Sequence, residues 1–265
     1  MKILLKNIIL LLIIVFASSC KTKKIKANSH KNISNHKTLD NKHWGYDGDL
    51  SPSHWSEISN EFIDCAEGHA QSPIDVSTHI ESNDRSTIKF SYHSTAIDEL
   101  NNGHTIQADI LEKNELLVDD VPYNFKQFHF HAPSEHQLNG QYYPMEMHLV
   151  HATKDAKLVV IGVLIKEGKE NKIFSSIWNN VPQHVNEHVL PSKKIDLLHL
   201  LPNNHTYVHY SGSLTTPPCS EGVEWFVMEN TIEMSKEQIN KFVSVYNHNN
   251  RPLQKLEGRA LSEGK

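Results

Sequence analysis

One stretch of five residues, QFHFH, alternates strictly between polar and aromatic side chains. Successive side chains of a β-strand point to opposite faces of the sheet. On a strand, Gln127, His129 and His131 therefore share one face, and Phe128 and Phe130 share the other. The two phenylalanines then point into a core. The stretch predicts a strand in a sheet that is covered on its apolar side.

A second stretch, EMHLVH, repeats the pattern about twenty residues later. Here Glu146, His148 and Val150 share one face of the predicted strand, while Met147 and Leu149 pack behind it. If the two strands are neighbours in the sheet, the second strand adds one imidazole to the two of the first. The result is a face of three histidines.

Nineteen histidines in the chain make any single one uninformative, so the pattern has to carry the argument. Three neutral nitrogen ligands with an open fourth position are the layout of a catalytic zinc site. We therefore predict that His129, His131 and His148 bind a metal. Gln127 and Glu146 each stand two residues before a ligand on the same face, where they can accept the free ring N–H of that ligand.

The remaining pattern of the chain favours a mainly β (α+β) fold. Two stretches have helical periodicity, one at residues 173–181 and one that begins with an S-x-x-Q capping box at Ser235. We predict a single domain with a large, mostly antiparallel, twisted central sheet and a few surface helices. The predicted strands are Thr105–Ile110, Glu115–Val118, Asn124–His131, Met145–His151, Leu158–Ile165, Thr206–Tyr210 and Val223–Glu229.

The first 42 residues differ in character from the other residues of the chain. Met1–Lys6 is basic and Ile8–Phe16 is a short apolar run, which is typical of a signal peptide rather than of a membrane-spanning helix. The small residues before Cys20 resemble a lipoprotein cleavage site, so we predict a signal peptide at 1–19 and a lipid on Cys20. Plain secretion is the alternative. Residues 20–42 read as a basic, flexible tether, and residues 43–265 as the domain.

The charge distribution limits the partners. Residues 43–265 hold 17 basic and 30 acidic side chains, a net charge of −13. An acidic domain argues against nucleic-acid binding, which needs lysine and arginine to neutralise phosphates. We expect export and a lipid anchor in a bacterial membrane, on the periplasmic or cell-surface side. If Cys20 carries lipid, Cys65 and Cys219 remain, and outside the cytoplasm we expect them to form a disulfide rather than two buried thiols.

Several segments resemble, in sequence order, the motifs of the bacterial branch of the α-class carbonic anhydrases. The resemblance runs from about residue 43 to residue 260. The segments that carry it are Trp44–Tyr46, Gln71–Asp75, Asn101–His104, Gln127–His131, Ser134–His136, Glu146–His151, Ser213–Pro218, Val223–Trp225 and Asn249–Pro252.

The resemblance implies a zinc enzyme that reversibly hydrates carbon dioxide to bicarbonate and a proton. The three histidines of the predicted face would hold Zn²⁺. Thr215 would accept a hydrogen bond from the zinc-bound hydroxide and donate its own proton to Glu135. His104 would shuttle the released proton to solvent. Asn249 would join the glutamine and glutamate named above in supporting the zinc ligands.

The resemblance also implies a substrate wall, a set of water-ordering side chains and a disulfide between Cys65 and Cys219. The partners would be carbon dioxide and bicarbonate, with membrane contact through the N-terminal lipid. The wall would comprise Val150, Val160, Leu214, Thr216, Val223 and Trp225. The residues that order water or the Thr215–Glu135 pair would be Tyr46, Asn102, Gln107 and Tyr210.

Three other interpretations compete with this one. The spacing of His129, His131 and Glu135 fits half of a cupin metal motif, but Tyr123 stands where an upstream glycine belongs. Residues 184–188 match the metalloprotease pattern H-x-x-E-H, but they lie between two prolines, and we interpret them as a solvated turn. A non-catalytic carbonic-anhydrase-like binding protein is the third. Such proteins typically lose a zinc histidine, and all three are present here.

Overall fold

The computed structural model describes residues 43–78 and 86–265. The predicted signal peptide, the predicted lipid site at Cys20 and the predicted tether lie outside the described residues. Within the two described ranges, no helix combines the length and the apolar character needed to cross a membrane.

Strands dominate the described part of the chain, as predicted. The strands are β1 (Asp75–Val76), β2 (Ile88–Ser91), β3 (Ser94–Thr95), β4 (Ile97–Asn101), β5 (Ile106–Ile110), β6 (Glu115–Val118), β7 (Val121–His131), β8 (Gln137–Leu138), β9 (Met145–Ala152), β10 (Leu158–Glu167), β11 (His188–Val189), β12 (Ile195–Asp196), β13 (Tyr207–Ser213), β14 (Glu221–Met228), β15 (Ile232–Met234) and β16 (Ser262–Gly264). The helices are α1 (Trp55–Ile58), α2 (Asp64–Glu67), α3 (Lys172–Ile177) and α4 (Lys236–Val243), with 3₁₀ turns at Gly48–Leu50, Pro52–His54, Asn60–Phe62, Trp178–Asn180 and Leu197–Leu200.

Twelve of the described strands form one large sheet. Its main path runs β11-β4-β5-β7-β9-β10-β14-β13-β16, with β15, β2 and β6 attached at the side. Pairing in this sheet is antiparallel except where β10 meets β14 and β15. The predicted fold class, a mainly β domain with a large and mostly antiparallel sheet, is confirmed.

The centre of the sheet brings the two histidine-bearing strands side by side. β7 and β9 pair antiparallel, with His129 directly opposite His148 and His131 directly opposite Glu146. On the other side of β7, Gln107 of β5 lies opposite His129. The condition that the two strands are neighbours is therefore met, in a register that places the histidines together.

The two faces of the sheet bury different side chains. One face packs aromatic and aliphatic residues such as Phe128, Phe130 and Leu149 against Phe174 of α3 and Phe242 of α4. The opposite face carries the histidines and a second apolar cluster that is built from β10, β13 and β14. Side chains therefore cover most of both faces at the middle of the sheet, where His131 and His148 are buried and His129 is partly exposed.

A β-bulge at Lys126 sets which side chains of β7 reach each face. The pairing of β7 with β9 shifts between Phe125 and Gln127, so Lys126 is an extra, exposed residue in the strand. Phe125 consequently lies in the core with Phe128, although strict alternation would place it on the face of Gln127 and His129.

Helix α4 begins as the sequence predicts. Ser235 Oγ accepts the Gln238 N–H at 3.3 Å, and Gln238 Oε1 accepts the Ser235 N–H at 3.0 Å, which completes the capping box. Ile239 and Phe242 are buried, and the helix ends at Val243. Tyr246, which fits the same periodicity, lies beyond the helix.

The predicted disulfide between Cys65 and Cys219 is present and joins residues that are 154 positions apart. It connects α2 to the loop before β14. That loop contains Thr215 and Thr216. Near the end of the loop, the Cys219 N–H donates to Thr216 O at 2.9 Å.

Candidate metal centre

Three imidazoles converge in the middle of the sheet. Ligand-type nitrogens of His129, His131 and His148 all lie within 4.8 Å of one another. The three side chains come from two adjacent strands and need no contribution from a loop. The regular alternation of β7 and β9 is therefore what assembles the cluster.

Each ring has one nitrogen occupied by a hydrogen-bond acceptor of the protein. His129 Nδ1 lies 2.8 Å from Gln127 Oε1, and His148 Nε2 lies 2.9 Å from Glu146 Oε1. His131 Nδ1 donates to the backbone carbonyl of Asn249 at 2.6 Å. These contacts fix the tautomers and leave Nε2 of His129, Nε2 of His131 and Nδ1 of His148 available to a metal.

The surroundings of the three rings favour their neutral form. Burial is the largest influence in each case and lowers the pKa of His129, of His148 and of His131, the last to about 4. Nε2 of His131 is buried and has no hydrogen-bond partner among residues 43–78 and 86–265. A buried polar atom without a partner is costly, and neutral imidazole is the form that binds metals. The cluster thus fits a metal ion with three nitrogen ligands.

Glu146 is the most heavily bonded acid at the site. Its Oε2 accepts the backbone N–H groups of Glu135 and His136, both at 2.8 Å, and its Oε1 contacts His148 and, at 2.7 Å, His136 Nδ1. Burial raises the pKa of Glu146, but the nearby His136 and His148 outweigh burial and hold it well below its usual range. Glu146, His136 and His148 also meet the distance criterion for a metal cluster, yet these close contacts are hydrogen bonds.

A polar chain continues from Glu146 into the interior. His136 Nε2 lies 2.6 Å from the Tyr210 hydroxyl, which donates to Ser72 Oγ at 2.9 Å. Ser72 and Ser213 are joined by two further bonds, of 2.9 and 3.1 Å. Tyr210, which the resemblance assigns to the ordering of water or of the Thr215–Glu135 pair, thus belongs to the hydrogen-bonded chain behind Glu146.

Glu135 is buried against the cluster. Its Oε1 accepts the Arg251 backbone N–H at 2.7 Å and lies 3.5 Å from His131 Nδ1. Burial is the largest influence and raises the pKa of Glu135 to about 7, against the lowering effects of His148, the Arg251 N–H and the Thr215 hydroxyl. Thr215 is itself buried and is one of the groups that act on Glu135, whereas Oε2 of Glu135 has no hydrogen-bond partner in the described part of the chain.

His104 lies in the turn between β4 and β5. Its ring stacks on the indole of Trp44 at a centroid distance of 3.7 Å and an interplanar angle of 5°. The ring of His43 lies 6.2 Å away. Partial burial, followed by the charge of His43, lowers the pKa of His104 from its usual value.

The predicted apolar wall is assembled beside the histidines. Trp225 packs with its ring centroid 4.8 Å from that of His148, and Val160 pairs with Val150 on one side and with Trp225 on the other. Val223 is buried in the same cluster, against which Leu214 also packs. Thr216 follows in the loop and is half-buried.

The remaining predicted polar residues have identifiable partners or environments. Asn102 Nδ2 donates to Gln107 Oε1 at 3.3 Å, and Gln107 Nε2 donates to Asp109 Oδ1 at 2.7 Å. Tyr46 has a buried hydroxyl that finds no hydrogen-bond partner among the described residues. Burial, and secondarily the charge of Glu135, raises the pKa of Tyr46 well above its usual value.

The family model described as eukaryotic-type carbonic anhydrase matches residues 50–264. The chain belongs to the carbonic anhydrase family. Its curated relatives include a carbonic anhydrase from Pectobacterium atrosepticum, 40% identical over 223 residues (84% of this chain and 91% of the relative). Another, from Neisseria gonorrhoeae, is 42% identical over 223 residues (83% and 88%).

Solved structures of the family match as well. The α-carbonic anhydrase from Thermovibrio ammonificans, in complex with the inhibitor sulfanilamide, is 43% identical and superposes with a TM-score of 0.79. The match covers 83% of this chain and 98% of that one. Membership of the carbonic anhydrase family, a family of enzymes, excludes the cupin interpretation of His129, His131 and Glu135.

The H-x-x-E-H segment of this carbonic anhydrase family member is not a helix. Glu187 Oε2 accepts the backbone N–H groups of Gln183 and His184 at 2.7 and 2.9 Å, and His188 begins the short strand β11. The imidazole of His188 contacts Asp98 at 3.0 Å. These contacts fit the predicted turn at the surface.

Sequence reasoning missed three residues that support the site. His136 and Ser72 extend the chain behind Glu146, and Arg251 bonds to Glu135 through its backbone. Each lies within a family-like segment, in SEH, QSPID and NNRP respectively. The resemblance thus covers their positions, but their partners depend on contacts between distant segments.

Proposed function

We propose that this chain is a zinc-dependent carbonic anhydrase that interconverts carbon dioxide and bicarbonate. The observation that carries the proposal is the cluster of three imidazoles, each with one ring nitrogen in the cluster and the other bonded to a protein acceptor. The buried and unpartnered Nε2 of His131 adds to it. Family membership supports the same reaction.

His129, His131 and His148 would hold the zinc ion, and Gln127, Glu146 and the Asn249 carbonyl would keep the rings in orientation. When bound, zinc lowers the pKa of its water ligand to about 7 and so supplies a nucleophile at neutral pH, a value taken from carbonic anhydrase itself, which is the standard example.

Thr215 and Glu135 would orient the nucleophile. A hydroxyl has one proton to donate. If Thr215 donates that proton to Glu135, its oxygen can act only as an acceptor toward the nucleophile. The hydrogen bond from the Arg251 N–H to Glu135 Oε1 at 2.7 Å would keep the carboxyl in place.

Carbon dioxide would lie against the apolar wall. The wall offers it no free hydrogen-bond donor from the side chains of Val150, Val160, Leu214, Val223 and Trp225. The one N–H among them, on the indole of Trp225, is already donated to Ser213 O at 3.0 Å. Such a surface suits an apolar substrate and is a poor site for bicarbonate. It therefore favours binding of the substrate and release of the charged product.

His104 would carry the released proton from the site to solvent. The unperturbed pKa of histidine is near 6.5, and partial burial lowers the pKa of His104 from that value, which favours release of a proton to solvent at neutral pH. His104 lies in a turn and is half-buried against Trp44, so part of its side chain is open to solvent.

The first test is carbon dioxide hydration by the full chain, followed with a pH indicator in stopped flow, before and after treatment with a zinc chelator. We expect fast hydration that chelation abolishes and that added zinc, but not added magnesium, restores. A folded, zinc-loaded protein without hydration activity would contradict the proposal and favour the non-catalytic binding protein.

We also propose that the chain is exported and anchored through a lipid on Cys20, with residues 20–42 as a tether for the domain at 43–265. Diacylation anchors stably, and the lysines at positions 21, 23, 24 and 26 can each add about 1 kcal/mol near anionic headgroups. Cys20→Ser is expected to move the protein from the membrane to the soluble fraction of fractionated cells. Cys20→Ser protein that stays with the membrane would contradict the anchor.

A further inference from the structure

The turn that carries His104 is built around a glycine. Gly103 has a φ of +89°, a conformation that other residues adopt only with strain. A Cβ at this position would also approach Val185 Cγ1 to 3.4 Å. The main-chain path of the turn is therefore specific.

Asn102 stabilises the turn from within. Its Oδ1 accepts the backbone N–H groups of His104 and Thr105, both at 2.9 Å. The Asn102 N–H donates to Thr105 O at 3.2 Å. These bonds determine the shape of the turn, but they do not fix its position relative to the other elements of the protein.

Two asparagines fix that position from opposite sides. Asn249 Nδ2 donates to His104 O at 3.0 Å. On the other side, Asn101 Oδ1 accepts the Gly103 N–H at 3.1 Å and the hydroxyl of Tyr246 at 2.5 Å. Asn101 is 1% exposed, so its amide is held in the interior.

The imidazole of His104 depends on this main chain for its location. Among the described residues, the ring has no hydrogen-bond partner and is held by stacking on Trp44. Stacking tolerates sliding, whereas hydrogen bonds to the main chain do not. A displacement of the turn would therefore move the ring.

We propose that Tyr246 is a positioning residue for proton transfer, because its hydroxyl bond to Asn101 holds the Gly103–His104 main chain in place. Tyr246 lies in the segment that follows α4, so its hydroxyl bond to Asn101 connects the turn to that segment. The proposal rests on the proposed shuttle role of His104. It concerns the step after bicarbonate release, and it leaves the reaction of carbon dioxide unaffected.

The test compares three variants of the zinc-loaded full chain in a weak buffer and in added imidazole. Tyr246→Phe removes only the hydroxyl. We expect it to lower kcat about three- to tenfold in weak buffer, with kcat/KM unchanged and kcat restored by imidazole, since a displacement well below 1 Å costs less than the hundredfold of a full ångström. His104→Ala should show the same pattern more strongly.

Tyr92→Phe is the matched control. Its hydroxyl makes an equally short bond, 2.5 Å to His151 Nε2, in the core and away from the turn. We expect Tyr92→Phe to reduce thermal stability. It should not lower kcat in weak buffer relative to kcat/KM. A second readout is independent of activity: hydrogen exchange of the Gly103 amide should be about fivefold faster in Tyr246→Phe and unchanged in Tyr92→Phe.

The outcomes are distinguishable. If His104→Ala is slow in weak buffer but Tyr246→Phe is not, the positioning role is wrong and the shuttle stands. If His104→Ala is as fast as the parent, the proposed shuttle fails and the positioning role fails with it. If Tyr246→Phe lowers kcat/KM as much as kcat, the hydroxyl supports the fold in general, and the inference is wrong.

Discussion

Two buried carboxyl groups show how strongly a side chain's chemistry depends on its immediate contacts. Glu135 has a backbone N–H partner and neighbouring imidazoles, and its pKa lies at about 7. Glu99 of β4 is fully buried, and within the part of the chain that the structure describes neither of its carboxyl oxygens has a hydrogen-bond partner. Burial, with a smaller effect from Asp98, raises the pKa of Glu99 to about 8. Glu135 belongs to the candidate site, whereas the burial of Glu99 lowers the free energy of unfolding.

Glu99 makes stability depend on pH. Its pKa is about 8 in the folded protein and about 4.3 in the unfolded chain. Below pH 4 both states are protonated. As the pH rises, the unfolded chain ionises first, so the free energy of unfolding falls until the pH passes 8.

We predict that Glu99→Gln removes this dependence, which amounts to roughly 3–5 kcal/mol between pH 4 and pH 8. Urea unfolding at a series of pH values measures it. Glu67→Gln, at an exposed carboxyl, is the control and should leave the pH profile unchanged. An identical profile for Glu99→Gln and the parent would contradict the prediction.

Gln127 should contribute to metal affinity without touching the metal. Its Oε1 holds His129 Nδ1 at 2.8 Å. Loss of such an orienting partner typically weakens metal binding about 10- to 100-fold. We predict that Gln127→Ala does so in competition with a chromophoric chelator. Lys126→Ala, in the exposed bulge next to it, should retain the affinity of the parent.

At the scale of elements, the sequence best predicted those features that depend on the residues of a single strand or helix. The alternation in β7 and β9 correctly assigned the histidines to one face of each strand, and S-x-x-Q correctly located the start of α4. The bulge at Lys126 was not predicted, because an extra residue is defined only by the strand opposite. Contacts made by main-chain groups, such as the Arg251 N–H with Glu135, leave no mark in the identity of a side chain.

The capping box of α4 offers a direct test at this scale. Ser235→Ala removes the acceptor of the Gln238 N–H and should destabilise the protein by about 1 kcal/mol. Urea unfolding measures the loss. Ser53→Ala, at an exposed serine, is the control. A loss below about 0.3 kcal/mol, close to the error of the measurement, would show that solvent replaces the cap.

At the scale of the whole molecule, the disulfide joins the N-terminal part of the described chain to the loop that carries Thr215. Arg251 reinforces the connection, because its guanidinium donates to Cys65 O, Gln71 Oε1 and Ser72 O, each at 2.8 Å. The same residue meets Glu135 through its backbone. Residues far apart in sequence are thereby held around one centre.

Reduction of the disulfide should therefore reduce stability more than zinc affinity. A loop of 154 residues predicts a loss of about 2–5 kcal/mol. The proposed zinc ligands lie on β7 and β9, which the disulfide does not join. Urea unfolding and zinc competition, each with and without reductant, measure the two effects. The Cys65→Ser/Cys219→Ser variant should be insensitive to reductant, and two free thiols in the native protein would refute the bridge.

The three imidazole supports differ in what can remove them. His129 relies on the side chain of Gln127 and His148 on that of Glu146, so one codon change can abolish either support. His131 relies on the main-chain carbonyl of residue 249, which every amino acid possesses. Substitutions at Asn249 can cut its amide bonds, including the one to the His104 turn, while that carbonyl persists. Genetic drift can therefore remove the side-chain supports of His129 and His148 by single substitutions. The main-chain support of His131 is protected from any change of side chain at residue 249.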